Sequence, residues 1–311
     1  MTDHIAIIGG GLVGSGWAII FARAGKQVKI YDSNPDTAGK ALSIIGQQLE
    51  DLKSYGLIDN VEAILGRMDI SQSLEGTVIG ASYVQESVLE TIEAKIAISH
   101  AISEHLDGNA IVGSSTSGIP ASEFTENLSN RERFLVSHPV NPPYICPVVE
   151  VVPAPWTSDA SVQSTIALMG EVGQAPVLVR REIDGFVLNR LQGVLLREAW
   201  ALYEEGYASI EDIDKTISEG LGMRWSFMGP FETIDLNAPN GVGDYGERFG
   251  GLFHGIQESR KNTATWSKEL IGRVEAERRQ KLPAEDLTER RNWRDRRLMA
   301  LAAHRKTQGN T

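Results

Sequence analysis

Apolar positions in the first part of the chain follow two patterns in turn. Compact apolar runs of strand character stand at residues 5–8, 28–31, 81–85, 110–113, 134–137, 148–152 and 176–179. Between them lie stretches of helical spacing: residues 17–24, a segment in which Ala38, Ala41, Leu42, Ile45 and Leu49 recur, residues 91–106 and residues 159–172. Asn34-Pro35-Asp36 reads as a cap and first helical turn. The segment up to about residue 65 reads as a helical pair broken near Tyr55-Gly56. Strands alternating with helices in this way predict an α/β fold, a Rossmann-type, doubly wound and mostly parallel sheet. The pattern changes at Asp184-Gly185. Beyond it strand signal fades, and Val187, Leu191, Val194, Leu195 and Ala199 recur at helical spacing. Two domains are therefore expected, the sheet domain over residues 1–184 and an all-helical C-terminal domain over residues 185–311.

The first strand–helix junction carries candidate chemistry. Ile5-Ala6-Ile7-Ile8 runs into Gly9, Gly11 and Gly14, spaced G-x-G-x-x-G, and an apolar helix-compatible run follows. In such a turn Gly9 permits the tight bend, Gly11 lets the backbone approach a pyrophosphate, and Gly14 lets the helix pack on the strand. The helix start at Leu12 and Val13 offers N–H groups and a positive dipole end to the phosphates. The second strand ends in Asp32, 18 residues after Gly14, where a carboxylate accepts hydrogen bonds from the adenosine ribose hydroxyls. No Lys or Arg follows within Ser33-Asn34-Pro35-Asp36, so a 2′-phosphate would meet only negative charge. The cofactor is read as NAD. The rival reading is a chance glycine-rich turn, which the succession of strand, glycines, helix and acid disfavours.

Composition narrows the picture further. At 311 residues, 41% hydrophobic and 23% charged, the chain is long enough for two globular domains and ordinary in make-up. A net charge of −11 argues against a nucleic-acid binder or a polybasic membrane anchor. The single cysteine, Cys146, gives neither an internal disulfide nor a metal cluster, and a cytoplasmic location is expected. The apolar start imitates a secretory leader but lacks a basic lead-in, and its glycines fall at cofactor spacing, so it is read as strand and turn. No apolar stretch is long enough to span a bilayer. The tail at residues 288–306 is Arg-rich, with Leu298, Leu301 and Ala302 as an apolar stripe; it reads as a solvated or subunit-facing helix.

His138 follows a strand directly, in His138-Pro139-Val140-Asn141-Pro142, and ligands in open α/β sheets bind beyond the carboxyl ends of strands. Glu150 lies 12 residues on, inside a second apolar strand, where a carboxylate is costly to bury unless paired. If the two strands are neighbours, Glu150 holds the imidazole in one tautomer and stabilises its protonated form. The plain alternative is a core histidine beside a strand-edge glutamate. A Ser-His-Glu hydrolase is a rival from another class, but no G-x-S-x-G elbow precedes a helix and Ser117 falls in a polar loop.

Taken together, the glycine turn with Asp32, Ser115-Thr116-Ser117, His138-Pro139-Val140-Asn141-Pro142-Pro143-Tyr144, Gly185-Phe186-Val187-Leu188-Asn189-Arg190 and Gly220-Leu221-Gly222-Met223-Arg224 resemble the 3-hydroxyacyl-CoA dehydrogenase family. Within it they are most similar to the lambda-crystallin and L-gulonate 3-dehydrogenase branch. The resemblance implies NAD-dependent oxidation of a small 3-hydroxy acid, with His138 as general acid/base and Glu150 as its orienting partner. It also implies that Ser117 and Asn189 bind the reacting oxygen, that Asn141, Glu90 and Lys95 contact the nicotinamide half, that the site lies in a cleft between domains, and that the protein is a homodimer. On their own, Glu90 and Lys95 read as a solvated pair at a helix start. Pro139-Val140 stand where the acyl-CoA enzymes usually carry aromatic residues, and the tail from about residue 268 exceeds theirs; both features resemble the gulonate branch. A carnitine dehydrogenase shares Gly113-Ser114-Ser115-Thr116-Ser117-Gly118 and Arg224-Trp225-Ser226-Phe227-Met228-Gly229 but not the asparagine at Asn189. Arg224 is the candidate grip for a substrate carboxylate, against a structural pairing with Glu219 or Glu232. Non-enzymatic alternatives are a crystallin-like structural protein or an NAD sensor.

Overall fold

Strand β1, His4–Ile8, is buried along its whole length, as an apolar run must be when helices cover both faces of a parallel sheet. The computed structural model describes residues 3–260 and 265–308. Around β1 assemble β2 (Val28–Tyr31), β3 (Met68–Ile70), β4 (Ala81–Glu86), β5 (Ile111–Ser114), β6 (Phe134–Pro139), β7 (Val148–Pro153) and β8 (Ala175–Leu178). They form one sheet in the order β3-β2-β1-β4-β5-β6-β7-β8. Every pairing is parallel except β6 with β7, so the sheet is mostly parallel as expected. The chain order reverses between β1 and β4, the switch point at which such sheets open a ligand crevice.

Helices α1 (Leu12–Arg23), α2 (Pro35–Ser54), α3 (Val61–Leu65), α4 (Leu74–Val78), α5 (Ile92–His105), α6 (Ser122–Thr125) and α7 (Asp159–Glu171) connect the strands. Asn34 caps α2 by accepting from the Asp36 N–H, with Pro35 in the first turn, as the local sequence specifies. One core packs Ile5, Ile7, Trp17, Phe21, Ile45 and Leu49 on one side of the sheet, and another packs Ile8, Val78, Val84 and Ile102. The one strand that the apolar pattern does not reveal is β3. It has three residues, with Asp69 exposed between Met68 and Ile70, too few to display an alternation.

The described residues divide into two compact units, residues 3–193 with 292–308, and residues 194–260 with 265–291. The first unit thus extends past the expected division at residue 184 and includes most of the last helix. Two local causes are visible. The start of α8 (Leu188–Glu204) is tied to the sheet through Glu150, and Met299 of the last helix is buried in the β1–α1 core. Residues 292–308 are mostly exposed, as the Arg-rich pattern suggests, with Met299 as the one fully buried side chain among them. The second unit contains α9 (Ile210–Lys215), α10 (Gly222–Trp225), α11 (Pro230–Asp235), α12 (Gly241–Ser259), α13 (Lys268–Lys281) and the start of α14 (Leu287–Gln308). No strand occurs among its described residues. No helix among the described residues is long and apolar enough to cross a membrane.

Candidate active site

The glycine turn has the geometry its spacing implies. Gly9 has φ +100°, open to glycine at little cost, and a side chain there would press on the Ser87 carbonyl. A Cβ on Gly14 would overlap the carbonyl oxygen of Gly9, so that glycine seats α1 against β1. A Cβ on Gly11 would meet nothing within 4 Å. Gly11 is thus bare for a different reason: the space beside it is open, at the N-terminus of a helix that no side chain caps. Leu12 and Val13 begin that helix, and their N–H groups have no partner within its own ladder. The Asp32 carboxylate accepts from Gly10 N–H at 2.8 Å and from Asn34 N–H at 2.8 Å, which leaves lone pairs for ribose hydroxyls. An uncapped helix start, an open cradle at Gly11 and an oriented acid fit an NAD dinucleotide.

His138 and Glu150 are directly opposed across the antiparallel β6–β7 pair. Both are buried, and the imidazole Nδ1 stands 2.8 Å from Glu150 Oε2. Glu150 Oε1 accepts from the backbone N–H groups of Val187 and Leu188, at 2.8 and 2.9 Å. Burial on its own would raise the Glu150 carboxyl, but the bonds from His138, Leu188 and Val187 outweigh it and hold it below the ordinary carboxylate value. An ionised carboxylate only accepts, so Nδ1 carries the hydrogen and Nε2 is left as the basic nitrogen. Phe186, buried and at φ +50°, lies against the imidazole with ring centres 5.7 Å apart.

Ser117 and Asn189 also meet. The Asn189 side-chain N–H donates to the Ser117 carbonyl at 2.6 Å. The Ser117 hydroxyl donates to Glu90 at 3.2 Å, and Glu90 accepts as well from the Thr116 hydroxyl and the N–H groups of Ser117 and Gly118. Burial pushes the Glu90 carboxyl up, while these bonds and Lys95 bring it below its ordinary value overall. Asn141 is exposed in the loop after β6.

Glu90 and Lys95 are not a solvated pair. Lys95 is buried, donating to both oxygens of Glu86 at 2.8 and 3.0 Å and to the Val88 carbonyl, with Glu90 3.7 Å away. Glu86 is buried too and also accepts from the Ser114 hydroxyl and Val88 N–H. Sequence reasoning did not find Glu86 as a site residue. The signal was there in Gln85-Glu86, two consecutive polar residues, both buried, at the carboxyl end of β4. Arg224 lies in the second unit, in a short helix that continues from the π-helical turn Thr216–Leu221. Such turns often mark functional sites. Among the described residues neither Glu219 nor Glu232 forms an ion pair with it. No cluster of metal-ligating side chains occurs among the described residues.

Comparison with known proteins identifies the family. Residues 4–183 match the NAD-binding domain of 3-hydroxyacyl-CoA dehydrogenase, and residues 185–281 match its C-terminal domain. Lambda-crystallin of Oryctolagus cuniculus is 39% identical over 306 residues, covering 97% of this chain and 96% of that protein. The L-carnitine dehydrogenase of Streptomyces griseus is 34% identical over 238 residues, covering 76% of this chain and 70% of that one. Among solved structures, a 5-formyl-3-hydroxy-2-methylpyridine 4-carboxylic acid 5-dehydrogenase, an NAD+-dependent dismutase, superposes with a TM-score of 0.83 at 28% identity over the full length of both chains. A dinucleotide turn at one end of the chain, and domain matches that run on from it through residue 281, make this chain a member of the 3-hydroxyacyl-CoA dehydrogenase family and an NAD-dependent oxidoreductase.

Proposed function

We propose that the protein oxidises a small 3-hydroxy acid to the 3-keto acid, with L-gulonate as its substrate. The observation that carries the reading is the 2.8 Å contact between His138 Nδ1 and Glu150 at the carboxyl end of β6. Glu150 keeps the hydrogen on Nδ1, so that Nε2 takes the proton of the substrate hydroxyl as the carbinol carbon is oxidised. In the reverse direction the protonated ring returns that proton to the ketone. NAD, when bound, supplies the hydride acceptor. Gly9, Gly11, Leu12, Val13, Gly14 and Asp32 hold its adenosine and pyrophosphate, while Glu90, Ser117 and Asn141 serve its nicotinamide half; Lys95, buried with its donors taken by Glu86 and Val88, acts there only through the neighbouring Glu90. Ser117 and Asn189 bind the reacting oxygen. Arg224 grips the carboxylate with two parallel hydrogen bonds.

Near-complete mutual coverage with lambda-crystallin supports the gulonate branch, as do Pro139-Val140 after the histidine. A homodimer working in the cytoplasm completes the reading. The dimer is supported by helices α8 and α12, which bury no residue fully, and by Leu191, Phe231 and Leu252, each more than half exposed. Sedimentation should return twice the chain mass. The deciding assay is a panel of L-gulonate, L-carnitine and a 3-hydroxyacyl-CoA, followed by NADH absorbance. The highest kcat/KM is expected for L-gulonate; a higher value for either competitor moves the protein to that branch.

A further inference from the structure

We propose that Ser87 is a cofactor-binding donor, its hydroxyl hydrogen aimed at a bound NAD by a relay that begins at Trp17. Donors and lone pairs around Ser115 fix the direction of each bond. Three groups surround the Ser115 hydroxyl oxygen: Trp17 Nε1 at 3.0 Å, Gln85 Nε2 at 2.7 Å and Ser87 Oγ at 2.8 Å. The indole N–H only donates. The Gln85 amide is oriented by its second bond, to the Ser137 carbonyl at 3.3 Å. A carbonyl only accepts, so the NH2 end faces it and faces Ser115 too. Both lone pairs of Ser115 are therefore filled, and its own hydrogen goes to Ser87. Ser87 must accept that bond, so its hydrogen turns elsewhere. No other acceptor for it is found among the described residues.

The position of Ser87 says what that acceptor is. Ser87 is half-buried just past the end of β4, and its N–H donates to the Ile8 carbonyl at 2.7 Å, beside the Gly9 turn. That is the switch point between β1 and β4, where a dinucleotide lies. Asp32 ends β2, on the far side of β1, and takes the adenosine ribose. The β4 side of the turn is left for the second phosphate and the second ribose. Ser87 thus donates to an oxygen of that half. Trp17 and Ser115 are positioning residues acting through Ser87. The inference rests on the NAD site alone and stands or falls independently of the substrate panel.

Binding measurements on the full chain, with NAD+, ADP-ribose and AMP as probes, test it. Ser87→Ala should weaken NAD+ and ADP-ribose by about fivefold, the loss of one ordinary hydrogen bond, and leave AMP unchanged. Trp17→Phe keeps an aromatic ring but removes the N–H, freeing a lone pair on Ser115 so that the Ser87 hydrogen can turn inward. It should weaken NAD+ in the same direction and add nothing in the double variant. The proposal is overturned if Ser87→Ala binds NAD+ within twofold of the parent, or if AMP weakens equally. It is equally overturned if ADP-ribose is unaffected, or if the Trp17 and Ser87 effects add. Should Trp17→Phe fail to fold, the three probes on Ser87→Ala decide alone.

Discussion

His138 and Glu150 are cross-strand partners, and the carboxylate of Glu150 divides its two oxygens between different tasks. One oxygen receives the imidazole Nδ1 hydrogen, and the other receives the N–H groups of Val187 and Leu188 where α8 begins. The residue that sets the tautomer of the histidine is therefore also the residue that anchors the linking helix to the sheet.

Replacing either partner separates these tasks. His138→Gln should lower kcat by roughly 10²–10⁴-fold, the usual contribution of a general base, with NAD+ affinity within twofold of the parent. In Glu150→Gln one side-chain oxygen can still accept from Val187 and Leu188. The other position becomes an amide donor, and favours the ring tautomer with its hydrogen on Nε2. Turnover should fall while NAD+ binding persists. If NAD+ binding is lost instead, Glu150 is structural.

The same carboxylate shapes stability against pH. Its folded value lies below the ordinary 4.5, so it stabilises the native state above that pH. The contribution is lost as pH falls through the folded value, because protonation then favours the unfolded chain. Melting temperatures of the parent and Glu150→Gln should differ most near neutrality and converge as pH falls below the ordinary carboxylate value. A gap that widens on acidification would show the sign to be wrong.

Two glycines three residues apart should fail in different ways. Gly14→Ala places a Cβ on the Gly9 carbonyl oxygen and should cost about 1–3 kcal/mol of stability or more, as overpacking does. Gly11→Ala meets nothing in the protein. Its melting temperature should match the parent while NAD+ affinity drops, since the added methyl occupies the approach of the pyrophosphate. Retained NAD+ affinity in Gly11→Ala would falsify the cradle.

Lys95 and Glu86 form a buried ion pair with side-chain exposures of 1% and 2%. Lys95→Met leaves the carboxylate uncompensated and should destabilise by about 3–5 kcal/mol. Adding Glu86→Gln should recover much of that, because the amide carries no charge. Thermal unfolding of the single and double variants measures the coupling; strict additivity would remove the pair as a unit.

Arg224→Met should raise KM for acid substrates while NAD+ binding stays unchanged, because only the carboxylate grip is lost. An equal rise for a neutral alcohol substrate would assign the arginine to structure.

How much of this was legible beforehand follows from the range of each interaction. The β1 run, the glycine spacing, Asp32, the Asn34 cap and the helical periods are local, because they depend on neighbours a few residues away, and the sequence alone determined them. Even the pairing of His138 with Glu150 could be anticipated from a histidine at a strand end and a carboxylate too costly to bury alone. Tertiary structure alone decided that Lys95 is buried on Glu86, that Ser115 is saturated by Trp17 and Gln85, and that Met299 returns the last helix to the first core. The Trp17–Ser115 bond joins residues 98 positions apart, and Met299 enters a core whose other buried members all lie between residues 5 and 172. A charged or polar side chain looks the same in sequence whether water or a distant partner satisfies it, so only the folded chain tells which.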